Sequence, residues 1–390
     1  MEKTSRKHIL FLSRWYPHRY DPMFGLFVER HARAAAIHND VSVIYVHADA
    51  SISKPFFEAH HEKHFREIKY YYPVGNGIAR LRSPWRFFRA MKQAFKKLES
   101  FDRQPDVIHV NILTRMGAFA WWLKRTRNIP YVITEHWSRY QPQHNNFNGF
   151  FRKWLTKRVV KNAAVVSTVS DDLRQAMESH GLTNDNYKVI PNVVDVDFFH
   201  PDKEKKESDK TIFIHLSCME ERSKNMSGIL KAVKALASKR DDFILYMVGE
   251  GIDLAATIRK AEDAGLKDKV VFFTGLKEGE QLLKLMQRAD AMLLFSRYEN
   301  LPVVILEAFA CGMPVISSDV GGISEHLNNE RGILVKPLDE QALTEAMGKM
   351  IESKDDYNSK SIRQYATDHF SMEVIGNQFD KMYSEAISRK

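Results

Sequence analysis

Two carboxylates stand eight positions apart in "SRYENLPVVILEAFACGMPV", residues 296–315. Glu299 opens an apolar run, and Glu307 interrupts it between Leu306 and Ala308. A strand-like "AMLLFS" leads into the polar loop "RYENLP" and then into a helical "VVILEAFACG" closed by Gly312. Pro302 suits the first turn of that helix, where a missing N–H costs nothing. Around Pro302, free backbone N–H groups of Leu301, Val303 and neighbours such as Asn300 then point into the cleft with the helix dipole behind them, which favours a phosphate. Two carboxylates beside a phosphate repel it unless hydroxyls occupy them. A nucleotide-sugar meets that condition, with ribose, diphosphate and hexose in a row. The plainer alternative makes Glu307 a salt-bridged core residue and Glu299 a solvated loop charge.

Such a loop needs a scaffold, and the 390 residues supply one. Short apolar strands alternate with helix-length amphipathic segments almost throughout. The first half offers "HILFLS", "VSVIYVHA", "DVIHVNI", "YVITEH", "AVVSTVS" and "YKVIP"; the second offers "TIFIHLS", "FILYMVG", "VVFFTG", "AMLLFS", "PVISS" and "GILVKP". Helical patterns between them include "FGLFVERHARAAAIH" and "DDLRQAMESHG", the latter preceded by Ser170 as an N-cap. This alternation predicts parallel sheets covered on both faces. Twelve strands are too many for one ordinary doubly wound sheet. The predicted class is therefore α/β with two Rossmann-like domains, ahead of a single eight-stranded barrel. The charged end of "NVVDVDFFHPDKEKKESDK", residues 192–210, reads as a linker. Domains over 1–190 and 191–370 follow, with an amphipathic helix over 371–390 expected to return toward the first domain. Parallel sheets bind ligands beyond the carboxyl ends of their strands. The cleft between the two domains is thus the expected site.

The stretch "SRYENLPVVILEAFACGMPVISSDVGGISEHL" resembles the signature of glycosyltransferase family 4, nucleotide-sugar enzymes of the GT-B fold, whose two Rossmann-like sheets face across a cleft. The likeness continues through "GILVKPLDEQAL", "VVFFTG", "YMVGEG" and "VIPNVVDVDFFHP", and covers most of residues 8–350. It implies that Glu299 holds donor-sugar hydroxyls and Glu307 the ribose. The family supplies an arginine and a lysine after the first strand of the second domain for the diphosphate. In "HLSCMEERSKNMSGIL" the lysine is matched by Lys224, but the arginine position falls on Cys218 or Met219. Either Arg222 supplies the second charge from a displaced position, or Lys224 acts alone. In "SRWYPHRYDPMFGLFVERHARA", Gly25 lies between the first strand and its helix, in the loop that borders donor diphosphate and acceptor in similar enzymes; Arg14 and Arg19 could assist there. His136, ending the strand in "YVITEHWSRY", matches a histidine that contacts the donor sugar near the reacting carbon. The resemblance also implies transfer with retention, no metal, and no cofactor beyond the nucleotide diphosphate sugar, which is substrate. The implied acceptor is a glycan or lipid-linked molecule of bacterial surface-polysaccharide assembly.

Other patterns carry less chemistry. "DVD" at Asp195–Asp197 looks like a metal motif but sits in the linker element. His60 and His64 of "HHEKH" fall one helical turn apart, spacing that suits zinc, yet without a further ligand set they read as a solvated helix face. Cys218 and Cys311 form no framework, which fits a reducing cytoplasm. The N-terminal "ILFL" is too short for a signal peptide, and no apolar stretch reaches the roughly 18 residues that span a bilayer. Charge is asymmetric: residues 1–190 carry 31 Lys/Arg against 16 Asp/Glu, and the remainder 27 against 33. "RLRSPWRFFRAMKQAFKKLES", residues 80–100, places Trp85, Phe88, Met91, Phe95 and Leu98 on one stripe among seven basic residues. Together with "NGFFRKWLTKRVVKNA", residues 148–163, it suits peripheral contact with an anionic membrane; the alternative packs the stripe on the sheet. Nucleic acid is not expected, because no nucleic-acid fold signature accompanies the charge. Alternatives to transfer are a nucleotide-sugar epimerase or phosphorylase of related fold, and a non-catalytic basic protein that binds nucleotide or lipid.

Overall fold

A computed structural model of the chain describes residues 6–74, 83–101, 103–143, 147–202, 204 and 208–389. Contacts divide it into two compact units, Met1–Val193 with Met372–Lys390, and Val194–Ser371.

In the first unit the apolar runs become β1 (His8–Ser13), β2 (Asp40–Asp49), β5 (Val107–Asn111), β6 (Tyr131–Glu135), β7 (Val165–Thr168) and β8 (Tyr187–Val189). Two further strands, β3 (Phe56–Glu62) and β4 (Phe65–Pro73), complete an eight-stranded sheet of order β3-β4-β2-β1-β5-β6-β7-β8. Every residue of β1, β5, β6 and β7 is buried, as strands covered on both faces require. All pairings are parallel except β3 with β4.

That exception corrects the helical reading of "HHEKH". His60 lies on β3 opposite Glu67, and His64 sits in the connecting turn with Nδ1 2.8 Å from Asp40 Oδ1. His60 Nε2 is 3.0 Å from Glu62 Oε1. A hairpin forms because "FREIKYYY" is rich in β-formers and buries Phe65, Ile68, Tyr70 and Tyr71 beside β2. The histidine- and glutamate-bearing β3 then protects the sheet edge. Among the described residues no cluster of three His, Cys, Asp or Glu is arranged to hold a metal ion. Asp195 instead turns its own chain, Oδ1 accepting the N–H groups of Asp197 and Phe198 at 3.1 and 3.0 Å.

The helix Ser83–Glu99 buries Phe87, Ala90, Met91, Ala94, Phe95 and Leu98 against β2 and β4. The expected stripe is therefore rotated. Phe88 meets the rings of Phe119 and Trp122, while Trp85 is 79% exposed. Arg80 and Arg82 of that stretch lie outside the described residues, as do Lys203 and residues 205–207 of the linker. Ser170 caps the helix Asp171–Ser179, its Oγ accepting the Leu173 N–H at 3.2 Å.

The last helix, Met372–Ser388, packs on the helix Leu26–Ala36 and on β5, β6 and β7. Gly376 permits this approach, since a Cβ there would stand 2.4 Å from the Ala34 carbonyl oxygen. Tyr383 Oη joins it to the sheet, 2.7 Å from His109 Nδ1.

The second unit contains β9 (Thr211–Leu216), β10 (Phe243–Val248), β11 (Val271–Gly275), β12 (Ala291–Leu294), β13 (Val315–Ser318) and β14 (Gly332–Val335). All are parallel, in the order β11-β10-β9-β12-β13-β14. Val194 and Ser371 pair in a parallel bridge at its two ends.

Candidate active site

In the second unit the strand order reverses at β9, which has β10 on one side and β12 on the other. Loops that leave such a switch point in opposite directions open a crevice at the carboxyl ends. Lys224 ends the short helix Glu221–Lys224 after β9, and Glu299 lies in the loop after β12. The structure brings them together: Lys224 Nζ is 2.5 Å from Glu299 Oε1, with both side chains largely buried. Ser296 Oγ donates to the same Oε1 at 2.8 Å. Burial pulls the Lys224 ammonium down, but the adjacent Glu299 carboxylate outweighs it and leaves the group above its ordinary value. The lysine is thus held charged in a confined place.

The surrounding loops are braced. Arg297 N–H donates to the Ser223 carbonyl at 2.8 Å, and its guanidinium reaches Asn225 Oδ1 at 2.7 Å and Glu221 Oε1 at 3.4 Å. Gly321, at φ 59°, lies so close that a Cβ would stand 2.2 Å from the Glu299 carbonyl oxygen. The next N–H, of Gly322, donates to the Asn300 carbonyl at 2.8 Å. Spacing had not singled out Arg297, although it stands two residues before Glu299.

Pro302 caps the helix Val303–Ala310 with φ −70° and ψ 125°, one position earlier than expected. The consequence for its missing N–H is the same. Leu301 is buried and anchors the turn, while Pro302 and Val303 are half-exposed at the helix start. Glu307 lies within the helix and is buried; burial and then its charge push the nearby Cys311 thiol up to about 12.

Met219 is fully buried, with its N–H on the Glu250 carbonyl and its carbonyl accepting from Asp253. Gly251 lies against its backbone. This packing leaves no room for an arginine at Met219. Cys218 is exposed, and so is Arg222, which stands outside the hydrogen bonds that tie Arg297 to this loop.

The first unit has its own reversal at β1, between β2 and β5. Gly25 precedes the helix Leu26–Ala36 at φ 72°, and a Cβ there would stand 2.4 Å from the Trp15 carbonyl carbon. The glycine is required by the chain's own backbone. Arg14 lies over the Trp137 ring at 5.5 Å, whereas Arg19 is 3.5 Å from Glu58. Glu135 ends β6, and His136 follows it. The buried Glu135 carboxylate accepts the N–H groups of Leu113, His136 and Trp137 at 3.0, 2.9 and 3.0 Å, so it organises the loops after two strands. His136 Nε2 is 3.1 Å from Asn111 Oδ1, and its ring packs against Phe27 and His31. Burial, then the neighbouring His31 and His109, hold its pKa well below the usual range. The ring is neutral.

Two Rossmann-like units, each with loops gathered at a switch point, define a ligand-binding α/β protein. Residues 25–198 match the model "Glycosyltransferase Family 4", and residues 196–369 match "Glycosyl transferases group 1". The chain belongs to the family 4 type of glycosyltransferase, with the GT-B fold. It is similar to TuaC of Bacillus subtilis (strain 168), named for teichuronic acid biosynthesis, at 26% identity over 87% of this chain and 88% of that one. It is also similar to the D-inositol 3-phosphate glycosyltransferase of Corynebacterium urealyticum, at 25% identity over 71% of each. Among solved structures, sucrose-phosphate synthase from Thermosynechococcus elongatus superposes with a TM-score of 0.79 at 21% identity, covering 99% of this chain and 100% of that one. Anabaena HepE, in complex with UDP and glucose, gives 0.72 at 19%, covering 96% and 99%. No helix among the described residues is long and apolar enough to cross a membrane.

Proposed function

We propose that this glycosyltransferase moves a hexose-type sugar from a nucleotide diphosphate sugar to a glycan or lipid-linked acceptor, with retention, in surface-polysaccharide assembly. The observation that carries the donor assignment is the Lys224–Glu299 pair at the switch point of the second unit. Lys224 supplies a fixed positive charge for the leaving diphosphate, and the start of the helix Val303–Ala310 supplies backbone N–H groups. Donor hydroxyls take over the hydrogen bonds that Glu299 now receives, and Glu307 is assigned to the ribose. Arg297 holds the lysine loop in register.

In this reading His136 lines the donor sugar as a neutral hydrogen-bonding ring, and the donor's own phosphate oxygen accepts the acceptor proton. Chain residues then contribute positioning and charge, and no metal is assigned a step. The kinship with TuaC supports a surface polymer as product. The basic first unit supports an anionic membrane surface as its working location. Residues 148–163 support that better than 80–100, because Phe150 and Phe151 are 87% and 69% exposed beside Arg152 and Lys153.

Glu299→Ala tests the donor assignment. Transfer is expected to fall at least 100-fold, the scale of losing a transition-state hydrogen-bond partner, while calorimetry still detects nucleoside diphosphate binding. Unchanged turnover refutes the sugar-binding role. Transfer is expected to survive EDTA; loss restored by a divalent cation overturns metal independence.

A further inference from the structure

Both members of the Lys224–Glu299 pair stand on fixed backbone. On one side of Lys224 the Ser223 carbonyl accepts the Arg297 N–H at 2.8 Å, and on the other Asn225 Oδ1 accepts the Arg297 guanidinium at 2.7 Å. In the second loop Gly321 packs against the Glu299 carbonyl, the Gly322 N–H donates to the Asn300 carbonyl, and Ser318 Oγ donates to the Ser296 carbonyl at 2.6 Å. Only the two side chains are left to move. The pair can therefore open and re-form without displacing either loop.

Charge at the pair is closely balanced. Glu299 Oε1 receives Lys224 Nζ at 2.5 Å and Ser296 Oγ at 2.8 Å, and among the described residues no second cation lies within ion-pair distance of it. Arg297 is turned to Asn225 and Glu221 instead. Of the two positions where the family's arginine would fall, Met219 is packed shut and Cys218 carries no cation. A diphosphate at this loop thus has one confined ammonium to call on, and Glu299 already holds it. The two side chains are only 16% and 12% exposed, so a carboxylate left there without a cation or a hydroxyl is strongly destabilised.

The three states of the site differ accordingly. Empty, it is satisfied by the pair itself. With a nucleotide-sugar, hydroxyls donate to Glu299 while Lys224 turns to the diphosphate, and every charge keeps a partner. With a nucleoside diphosphate alone, two anions compete for one ammonium. Discrimination gains as much from a group that penalises the wrong ligand as from one that rewards the right one.

We infer that Glu299 makes the second unit prefer the nucleotide-sugar over the nucleoside diphosphate left after transfer, by reclaiming Lys224 when the sugar hydroxyls depart. The sugar part of this assignment rests on the glycosyl-transfer reading; the competition between Glu299 and a diphosphate for Lys224 does not. The test uses the full chain, with inorganic pyrophosphate as probe in calorimetry at low salt. Glu299→Gln keeps the size of the side chain and an acceptor oxygen for Ser296 but gives up the charge. It is expected to bind pyrophosphate at least fivefold more tightly than the wild type while nucleotide-sugar transfer falls. A residue that merely supports the loop would lose both together, and circular dichroism on heating checks that the fold is intact. Adding Lys224→Met is expected to erase the gain. Equal or weaker pyrophosphate affinity in Glu299→Gln, or no binding to either protein, overturns the inference. A gain that survives without the lysine also overturns it, since removal of a negative charge alone would then account for the effect. Loss of transfer in Glu299→Gln with unchanged pyrophosphate affinity leaves the transfer reading intact and removes this one. Tighter pyrophosphate binding by the variant, with no nucleotide-sugar turnover by the wild-type chain, would sink the transfer reading alone.

Discussion

The two switch points treat positive charge in opposite ways. In the second unit Lys224 is matched by Glu299 and the neighbouring Arg297 by Glu221 and Asn225, so cations and hydrogen-bond acceptors are paired before any ligand arrives. In the first unit Arg14 and Arg139 share an indole, and Arg115 lies on a phenylalanine. A paired cation is fixed in place and costs little to keep, at the expense of having to exchange partners on binding. The paired arrangement is the one proposed above for the donor.

Breaking the paired switch point gives the largest expected effect. Lys224→Ala removes the assigned charge from the diphosphate and leaves Glu299 without its cation, so kcat/KM for transfer should fall about 100- to 1,000-fold. A loss under fivefold would show that the lysine is merely structural. Arg222→Ala should cost far less, and an equal loss there would restore the displaced-arginine reading.

Acid should separate the units next. His31, His109 and His136 are buried in the first unit, and burial is the leading cause of their lowered pKa values, that of His31 reaching about 3. In the second, burial lowers His215 and His326 to about 4. A histidine whose folded pKa lies below its unfolded value near 6.5 binds protons preferentially when unfolded. Its stabilising contribution is complete above pH 6.5 and is lost as pH falls toward the folded value, at about 1.4 kcal/mol per pH unit for each group. All six tryptophans, Trp15, Trp85, Trp121, Trp122, Trp137 and Trp154, belong to the first unit, so their fluorescence reports it alone. Between pH 6.5 and 4 the fluorescence transition should precede the loss of far-ultraviolet circular dichroism from the whole chain. Coincident, pH-independent melting would refute the difference between units.

The two basic helices sharpen the comparison within the first unit. Reversing charge at Arg86, Arg89 and Lys96 should weaken binding to anionic vesicles about twofold, less than Phe150→Ser/Phe151→Ser does. A larger effect at Ser83–Glu99 would reverse the ranking. Smallest of all, Ser170→Ala should lower stability by about 1 kcal/mol through loss of the N-cap, seen as a shift in the denaturant midpoint with no change in transfer.

Local pattern carried a large part of this molecule. Twelve strands were legible because parallel, doubly covered strands are continuous apolar runs bounded by polar loops. β3 and β4 were not, because an edge hairpin keeps histidines and glutamates on its solvent side and mimics a polar helix over a few residues. Glu299 stood out by its place in a loop after a strand, whereas Lys224 and His136 were singled out through the family resemblance. The stacking of Arg14 and Arg139 on Trp137 was not legible, since the residues stand far apart in sequence and meet only when the loops after β1 and β6 come together.

By itself the sequence determined two Rossmann-like sheets, the helix start after Glu299, and Ser170 as a cap, because each depends on residues within one or two turns of each other. Only tertiary structure decided that Lys224 meets Glu299 across 75 positions and that Trp137 carries Arg14 as well as Arg139. It also turned Phe87, Met91, Phe95 and Leu98 of Ser83–Glu99 inward, with Arg89, Lys92 and Lys96 outside, and left Phe150 and Phe151 exposed. Those outcomes follow from which strands lie side by side, and strand order is set by burial summed over a whole sheet.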